Sequence, residues 1–255
     1  MRVTDQNAST NPSFEQAIPG VVYSTVGKKR IKSAHLAAIE EFRANNPEYK
    51  FVVLDDNEAH DYLLSKFQGE KILEIFERSI FGPMRADILR VALMLHEGGV
   101  YIDISKRLTI PLRETIPRTA KFVFAHERNE IPSNFKIETD HKVLSDDRKL
   151  IVQWCMIAAP GNLIFETMIN NIEKESINFE NVVFQNPKLA ILELTATYQY
   201  TRVIWQYLLN GWVDFTYAGV DFNEKSYVLI PESFSKNPFN RHYASKRNLK
   251  ILREK

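Results

Sequence analysis

One cysteine in 255 residues, Cys155, leaves no intrachain disulfide and no zinc site built from cysteines alone. It sits in the strand-like run IVQWCMIAAP, where a small buried hydrophobe is the plain account of a thiol. Excess charge is missing too. Lysine plus arginine number 33 and aspartate plus glutamate 32, so no global field exists to hold a phosphate backbone, and nucleic acid is not an expected partner. No stretch approaches the roughly 18 apolar residues that span a bilayer, and the first residues, MRVTDQNASTNPSFEQA, lack the apolar core of a secretory signal. These gaps make a cytoplasmic protein the expectation, with peripheral contact at the inner face of a membrane left open by the basic tail KRNLKILREK. Glycine is scarce, at nine residues, and none stands in a phosphate-cradling loop.

What is present alternates between strand and helix. The polar residues 1–17 read as a flexible segment, and 18–255 as a single domain without repeats or linkers. IPGVVYSTVG is a buried strand. The helix of RIKSAHLAAIEEFRANNPEYKF carries a broad apolar stripe at Ile31, Ala34, Leu36, Ala37, Ile39 and Phe42, and KFVVLDD is a second strand. NEAHDYLLSKF and EKILEIFERSI follow as helices, KFVFA and LIVQWCMIAAP as strands, and NLIFETMINNIEKES and LELTATYQYTRVIWQYLLNGW as further helices. Trp205 and Trp212 of the last stretch are core residues by default, with sugar stacking as the alternative. The pattern is an α/β layer of the nucleotide-binding kind.

The chemistry concentrates in MRADILRVALMLHEGGVYIDISKRL, residues 84–108. Pro83 suits a first helical turn and Gly98-Gly99 a helix stop. Between them apolar residues wrap the helix almost completely, yet Asp87 and Arg90 share one face. An ion pair on the one wet side of the helix is the plain explanation, and a polar cavity bordering that face the sharper one. The next strand alternates, with Val100, Ile102 and Ile104 on one side and Tyr101, Asp103 and Ser105 on the other. Asp103 and Ser105 would then face the crevice at the strand's carboxyl end, where open α/β sheets bind ligands.

The string GPMRADILRVALMLHEGGVYIDIS resembles the signature of the family 32 glycosyltransferases, which carry a DXD sugar-binding region: an R-A-D-x-x-R helix, a glycine pair, and an aromatic-x-D-x-D strand. IPGVVYSTVG, NPEYKFVVLDD, MIAAPGNLIFETMI and HYASKR are similar, in order, to other segments of that family. The resemblance implies a GT-A fold, a Rossmann-like mixed sheet flanked by helices, here with helical additions. It implies transfer of a hexose from a nucleotide-diphosphate sugar to a saccharide acceptor, with retention of configuration and a role in cell-surface saccharide synthesis. Carried over by position, it places Asp87, Arg90 and Asp103 at the reacting centre. Donor contacts fall to Val22, Tyr23, Asp55, Arg85, Gly99, Tyr101 and Ser105 besides those three. A Mn2+ or Mg2+ ion would be held by Asp103, Ser105 and His242. Departures are visible: Ser105 replaces the second acid, Tyr23 and Val26 replace histidine and tryptophan, and Thr195-Ala196-Thr197 replaces T-G-P. They leave an inactive sugar-nucleotide-binding protein as the alternative. For Asp55, a helix cap is the competing explanation.

Overall fold

In the computed structural model, which describes residues 16–27, 33–130, 149–223 and 245–254, the β-branched runs pair into one sheet. Its strands are β1 (Val21–Gly27), β2 (Lys50–Asp55), β3 (Gly99–Ile102), β4 (Phe122–Glu130), β5 (Lys149–Ile151), β6 (Cys155–Ala158) and β7 (Thr216–Val220). The helices are α1 (Ser33–Asn45), α2 (Asp56–Phe67), α3 (Lys71–Arg78), α4 (Gly82–His96), the single turn α5 (Leu112–Thr115), α6 (Leu163–Glu175), α7 (Pro187–Leu194) and α8 (Thr197–Leu209). β1 pairs with β2 and β3 in parallel, and β3 pairs antiparallel with β6. β4 takes β6 and then β5 antiparallel along one edge and β7 parallel along the other. Five strands therefore run one way, and β5 with β6 is a single counter-running lane, broken in the middle.

That break corrects the expectation of one strand over LIVQWCMIAAP. The register against β4 changes between Val123↔Ile157 and His126↔Ile151, which releases Gln153 and Trp154 from the ladder. Threonines of α8 satisfy the strand on the near side of the gap: Ile151 N–H donates to Thr201 Oγ1 at 2.9 Å, and Thr197 Oγ1 donates to Ile151 O at 2.9 Å. The long helix expected over 192–212 is likewise two, α7 and α8, separated at Thr195-Ala196.

The sheet divides two apolar layers. Met84, Ile88, Leu93, Phe165 and Trp205 pack with Tyr101 on one face, and Ile18, Val22, Phe42, Val100 and Ile102 on the other, as the period of two requires. α4 is buried nearly all round, sandwiched by β3, α3 and α6, as its composition implies. α1 differs from its expected broad stripe. Phe42 is buried, meeting Phe51 edge-on at 5.6 Å, while Leu36 and Ala37 face outward, because the helix meets the sheet through its last turn. Gly99, at φ +90°, lets β3 approach β1: a Cβ there would stand 2.6 Å from Val21 O. The basic tail is docked, not free. Ile251 and Leu252 are buried, and Leu252 bridges to Ser79. Trp205 stacks on His126 inside the core, and Trp212 packs edge-on against Phe122. Cys155 is buried in β6, and burial pushes its thiol up, as expected of an inert thiol.

Candidate active site

Breaking the β5–β6 lane and the α7–α8 helix at the same level opens a cleft of about 870 Å³ at the carboxyl ends of the parallel strands. α4 supplies one wall. Asp87 and Arg90, 4% and 7% exposed, form the i,i+3 pair, with Arg90 Nη2 3.2 Å from Asp87 Oδ1. The same Nη2 lies 3.2 Å from Asp103 Oδ1, Arg90 Nη1 donates to Gln153 O at 2.9 Å, and the guanidinium carbon sits 4.8 Å above the Tyr101 ring. Thr195 Oγ1, from the helix break, donates to Asp87 Oδ2 at 3.1 Å. The plain and the sharper explanations of Asp87 and Arg90 thus both hold: they are an ion pair, and it faces a polar hollow.

Burial pushes the Asp87 carboxyl up to about 7, with Asp103 adding to the rise, against the downward pull of Arg90 and the Thr195 hydroxyl. Asp103, with its side chain 32% exposed, is the acid of the group that meets solvent. The strand itself ends at Ile102. Asp103 N–H donates to Trp154 O at 2.8 Å, and Lys106 N–H then closes a turn on Asp103 O at 2.8 Å. Asp103 and Ser105 both line the cleft, and so does Ile104, because a turn and not a strand carries them.

The remaining expected donor residues divide. Arg85 lines the cleft, donating to Ser79 O at 2.9 Å and standing 3.4 Å from Asp56 Oδ2. Tyr101 also lines it, fully buried, its hydroxyl pushed up by burial, with Asp103 and Asp87 adding to the rise against the pull of Arg90. Asp55 is instead the cap of α2: its Oδ1 accepts from Asn57 and Glu58 N–H at 2.9 Å each, and Glu58 returns the bond, so Asp56, one residue on, faces the cleft. Val22 lies under the opposite face of the sheet with Phe42 and Phe51. Tyr23 packs against the core on the α2 and α4 side, its hydroxyl raised to about 12 by burial and then by Glu97. β1 reaches the cleft only at Thr25, Val26 and Gly27. Gly99 serves strand packing, not the cleft. His242 lies outside the described residues.

Among the described residues no three histidine, cysteine or carboxylate side chains gather closely enough to hold a metal. The donor set for one is the Asp103 carboxylate with the Ser105 hydroxyl. That is sparse but fits a hard cation that takes its other ligands from phosphate oxygens and water. Motif reasoning missed Lys106, Glu127, Gln153, Trp154 and Lys188, all of which line the cleft. Gln153 had a signal, a polar residue inside an apolar run, as Asp87 had. Burial, its largest influence, pushes the Glu127 carboxyl up to about 7, with Asp221 and Asp103 adding and Lys106 and Lys188 opposing.

A mixed sheet of these directions flanked by helices, with acid, guanidinium and acid beside its carboxyl ends, has the GT-A fold. Similar solved folds are "PaToxG Glycosyltransferase" (TM-score 0.54, 16% identity, 76% of this chain and 73% of that one) and the UDP-bound glycosyltransferase domain from the YGT toxin (TM-score 0.53, 9% identity, 86% and 82%). Residues 33–122 match the family described as the glycosyltransferase sugar-binding region containing DXD motif. The initiation-specific alpha-1,6-mannosyltransferase of Schizosaccharomyces pombe is 25% identical over 197 residues, which cover 74% of this chain and 48% of that protein. Mannosyl phosphorylinositol ceramide synthase SUR1 of Saccharomyces cerevisiae is 27% identical over 93 residues, 36% of this chain and 24% of that protein. The chain thus spans at most about half the length of these curated relatives. Over residues 33–122 it is thus similar to the DXD-region glycosyltransferases.

Proposed function

We propose that the protein moves a hexose, mannose first among candidates, from a nucleotide-diphosphate sugar to a saccharide hydroxyl with retention of configuration, in the assembly of cell-surface glycans. One observation carries this: Asp87, Arg90 and Asp103, distant in chemistry from a buried core, converge in one open cleft. The sugar is suggested by the mannosyl transfer named for the relatives. A cytoplasmic working place remains part of the proposal.

The chain's own groups divide the work. Asp87 accepts hydrogen bonds from hydroxyls of the donor sugar. Arg90, pinned by two carboxylates and the Gln153 carbonyl, is a cation fixed in advance beside the departing diphosphate, and its geometry suits phosphate oxygens. The amino end of α8, whose cap residue Ala196 offers no side-chain bond, faces the same cleft and favours negative charge. A divalent ion bound through Asp103 and Ser105 would supply further charge neutralisation to the diphosphate. In retention the bond from the anomeric carbon to the phosphate oxygen breaks as the acceptor oxygen bonds on the same face, and the acceptor proton leaves with the phosphate. Ser105, a weak metal ligand, favours one second reading, a sugar-nucleotide-binding protein without turnover.

The test is a panel of UDP- and GDP-hexoses read by thermal stabilisation and by release of nucleoside diphosphate, with and without Mn2+. Stabilisation together with release supports transfer, stabilisation alone supports the binding protein, and neither overturns both.

A further inference from the structure

Four carboxylates line the cleft: Asp56, Asp87, Asp103 and Glu127. Three are held by arginines, Asp56 by Arg85 at 3.4 Å and the other two by Arg90 at 3.2 Å each. Glu127 makes no hydrogen bond and no ion pair within 4 Å among the described residues. A half-buried carboxylate left this way loses solvation with only the longer-range pull of Lys106 and Lys188 in return, unless something else binds it.

Its place in the sheet suggests what. β4 and β3 run in the same direction, because both are antiparallel to β6. Asp103 follows the end of β3, and Glu127 lies in the carboxyl-terminal half of β4. The counter-running lane between them is the one that breaks, so Gln153 and Trp154 come from the gap between the two acid-bearing strands, and all four residues line the cleft. The Trp154 ring is braced by Phe222 at 5.7 Å and by Lys106 Nζ at 5.2 Å. Lys106 and Lys188 are the cations facing Glu127, and Asp221 and Asp103 the acids.

We propose that Glu127 is the acceptor-binding carboxylate, accepting hydrogen bonds from a vicinal hydroxyl pair on the acceptor ring and holding it against the donor bound at Asp87, Arg90 and Asp103. This rests on the glycosyltransfer reading above. The chemistry recognised is that of neighbouring ring hydroxyls, whether on a sugar or on an inositol.

The experiment compares wild type with Glu127→Gln and Glu127→Asp. It uses the nucleotide sugar that stabilises wild type and, as acceptor probes, methyl α-mannoside, α-1,6-mannobiose and myo-inositol. In Glu127→Gln, donor stabilisation and hydrolysis of the donor by water should stay within about twofold, while KM for the acceptor rises about tenfold or more, a factor of ten matching one lost charge-assisted hydrogen bond. Glu127→Asp keeps the charge with a shorter reach and should fall between; it decides the matter alone if the amide variant does not fold. Preference for the mannosides over inositol, or the reverse, identifies the ring. An unchanged acceptor KM overturns the proposal, and so does loss of donor binding in parallel with transfer. So does a wild type that hydrolyses donor yet glycosylates none of the three. A wild type that neither binds nor hydrolyses any nucleotide sugar sinks the underlying reading instead, before any variant is made.

Discussion

The two banks of the cleft are built on different plans. On the α4–β3 bank, Asp87, Arg90, Tyr101 and Asp103 come from 17 consecutive residues, and the charged groups lock one another in place. The facing bank is assembled from β4, the β5–β6 break and the start of α7, and its carboxylate, Glu127, makes no side-chain hydrogen bond or close ion pair among the described residues. The first bank is preorganised: its geometry exists before anything binds, which is what stabilising a charged leaving group demands. The second waits for a ligand.

The largest effect that separates the banks concerns stability. Arg90→Met leaves Asp87, fully buried, and Asp103 without their counter-charge, and should cost about 3–5 kcal/mol in urea unfolding at pH 8. Lys188→Met on the facing bank should stay within about 0.5 kcal/mol. Equal losses would erase the distinction. Next comes turnover. Asp87→Asn keeps the shape and the bond from Thr195 but not the charge, and Asp103→Asn keeps the shape but not the charge that meets Arg90. Each should lower donor hydrolysis by about 10²–10³, the scale of one lost electrostatic stabiliser, with the melting temperature at pH 8 little changed. Unfolding of both variants would reduce the cluster to a structural ion pair.

The contrast also governs what could be read in advance. The α4–β3 bank was legible because helix period, glycine stop and strand alternation act within one short window, and a charged residue in an apolar run is conspicuous. Even there local pattern placed Asp103 on a strand, whereas the strand stops at Ile102 and Lys106 N–H closes a turn on Asp103 O. Val22 and Tyr23 matched a motif by position while their strand meets the cleft three residues later. Thr195 looked like a helix interior, since nothing local reveals that its hydroxyl bonds Asp87, 108 residues away. Glu127 is one acid among many in KFVFAHER until β4, β6 and β3 are laid side by side. The lane break at Gln153-Trp154 is set by side chains of α8, which no window on β5 includes.

A third expected outcome is a pH dependence. Burial raises Asp87 and Glu127 to about 7 from the ordinary carboxylate range, so between about pH 4 and 7 the folded chain holds protons that the unfolded chain releases. Both groups therefore add stability as pH falls from about 7 towards 4, and neither adds any slope above. The difference in melting temperature, wild type minus Asp87→Asn, should grow as pH drops from 8 to 5. A difference that is flat across that interval would show Asp87 to be ionised throughout, held by Arg90 more firmly than burial opposes it.

The smallest effect expected tests how the turn after β3 handles cations. Ser105 lines the cleft two residues beyond Asp103, where a carboxylate would give a hard ion a second charged ligand. Ser105→Asp should tighten Mn2+ binding by about tenfold, roughly 1.4 kcal/mol, measured by calorimetry on the protein with nucleoside diphosphate present. The gain is bounded because the new charge also meets Asp103, already engaged by Arg90, and because Lys106 closes the same turn. If the affinity instead stays unchanged while donor hydrolysis persists, neutralisation of the leaving diphosphate rests on Arg90 and the amino end of α8. The preorganised bank would then do without a cation what a second carboxylate recruits one to do.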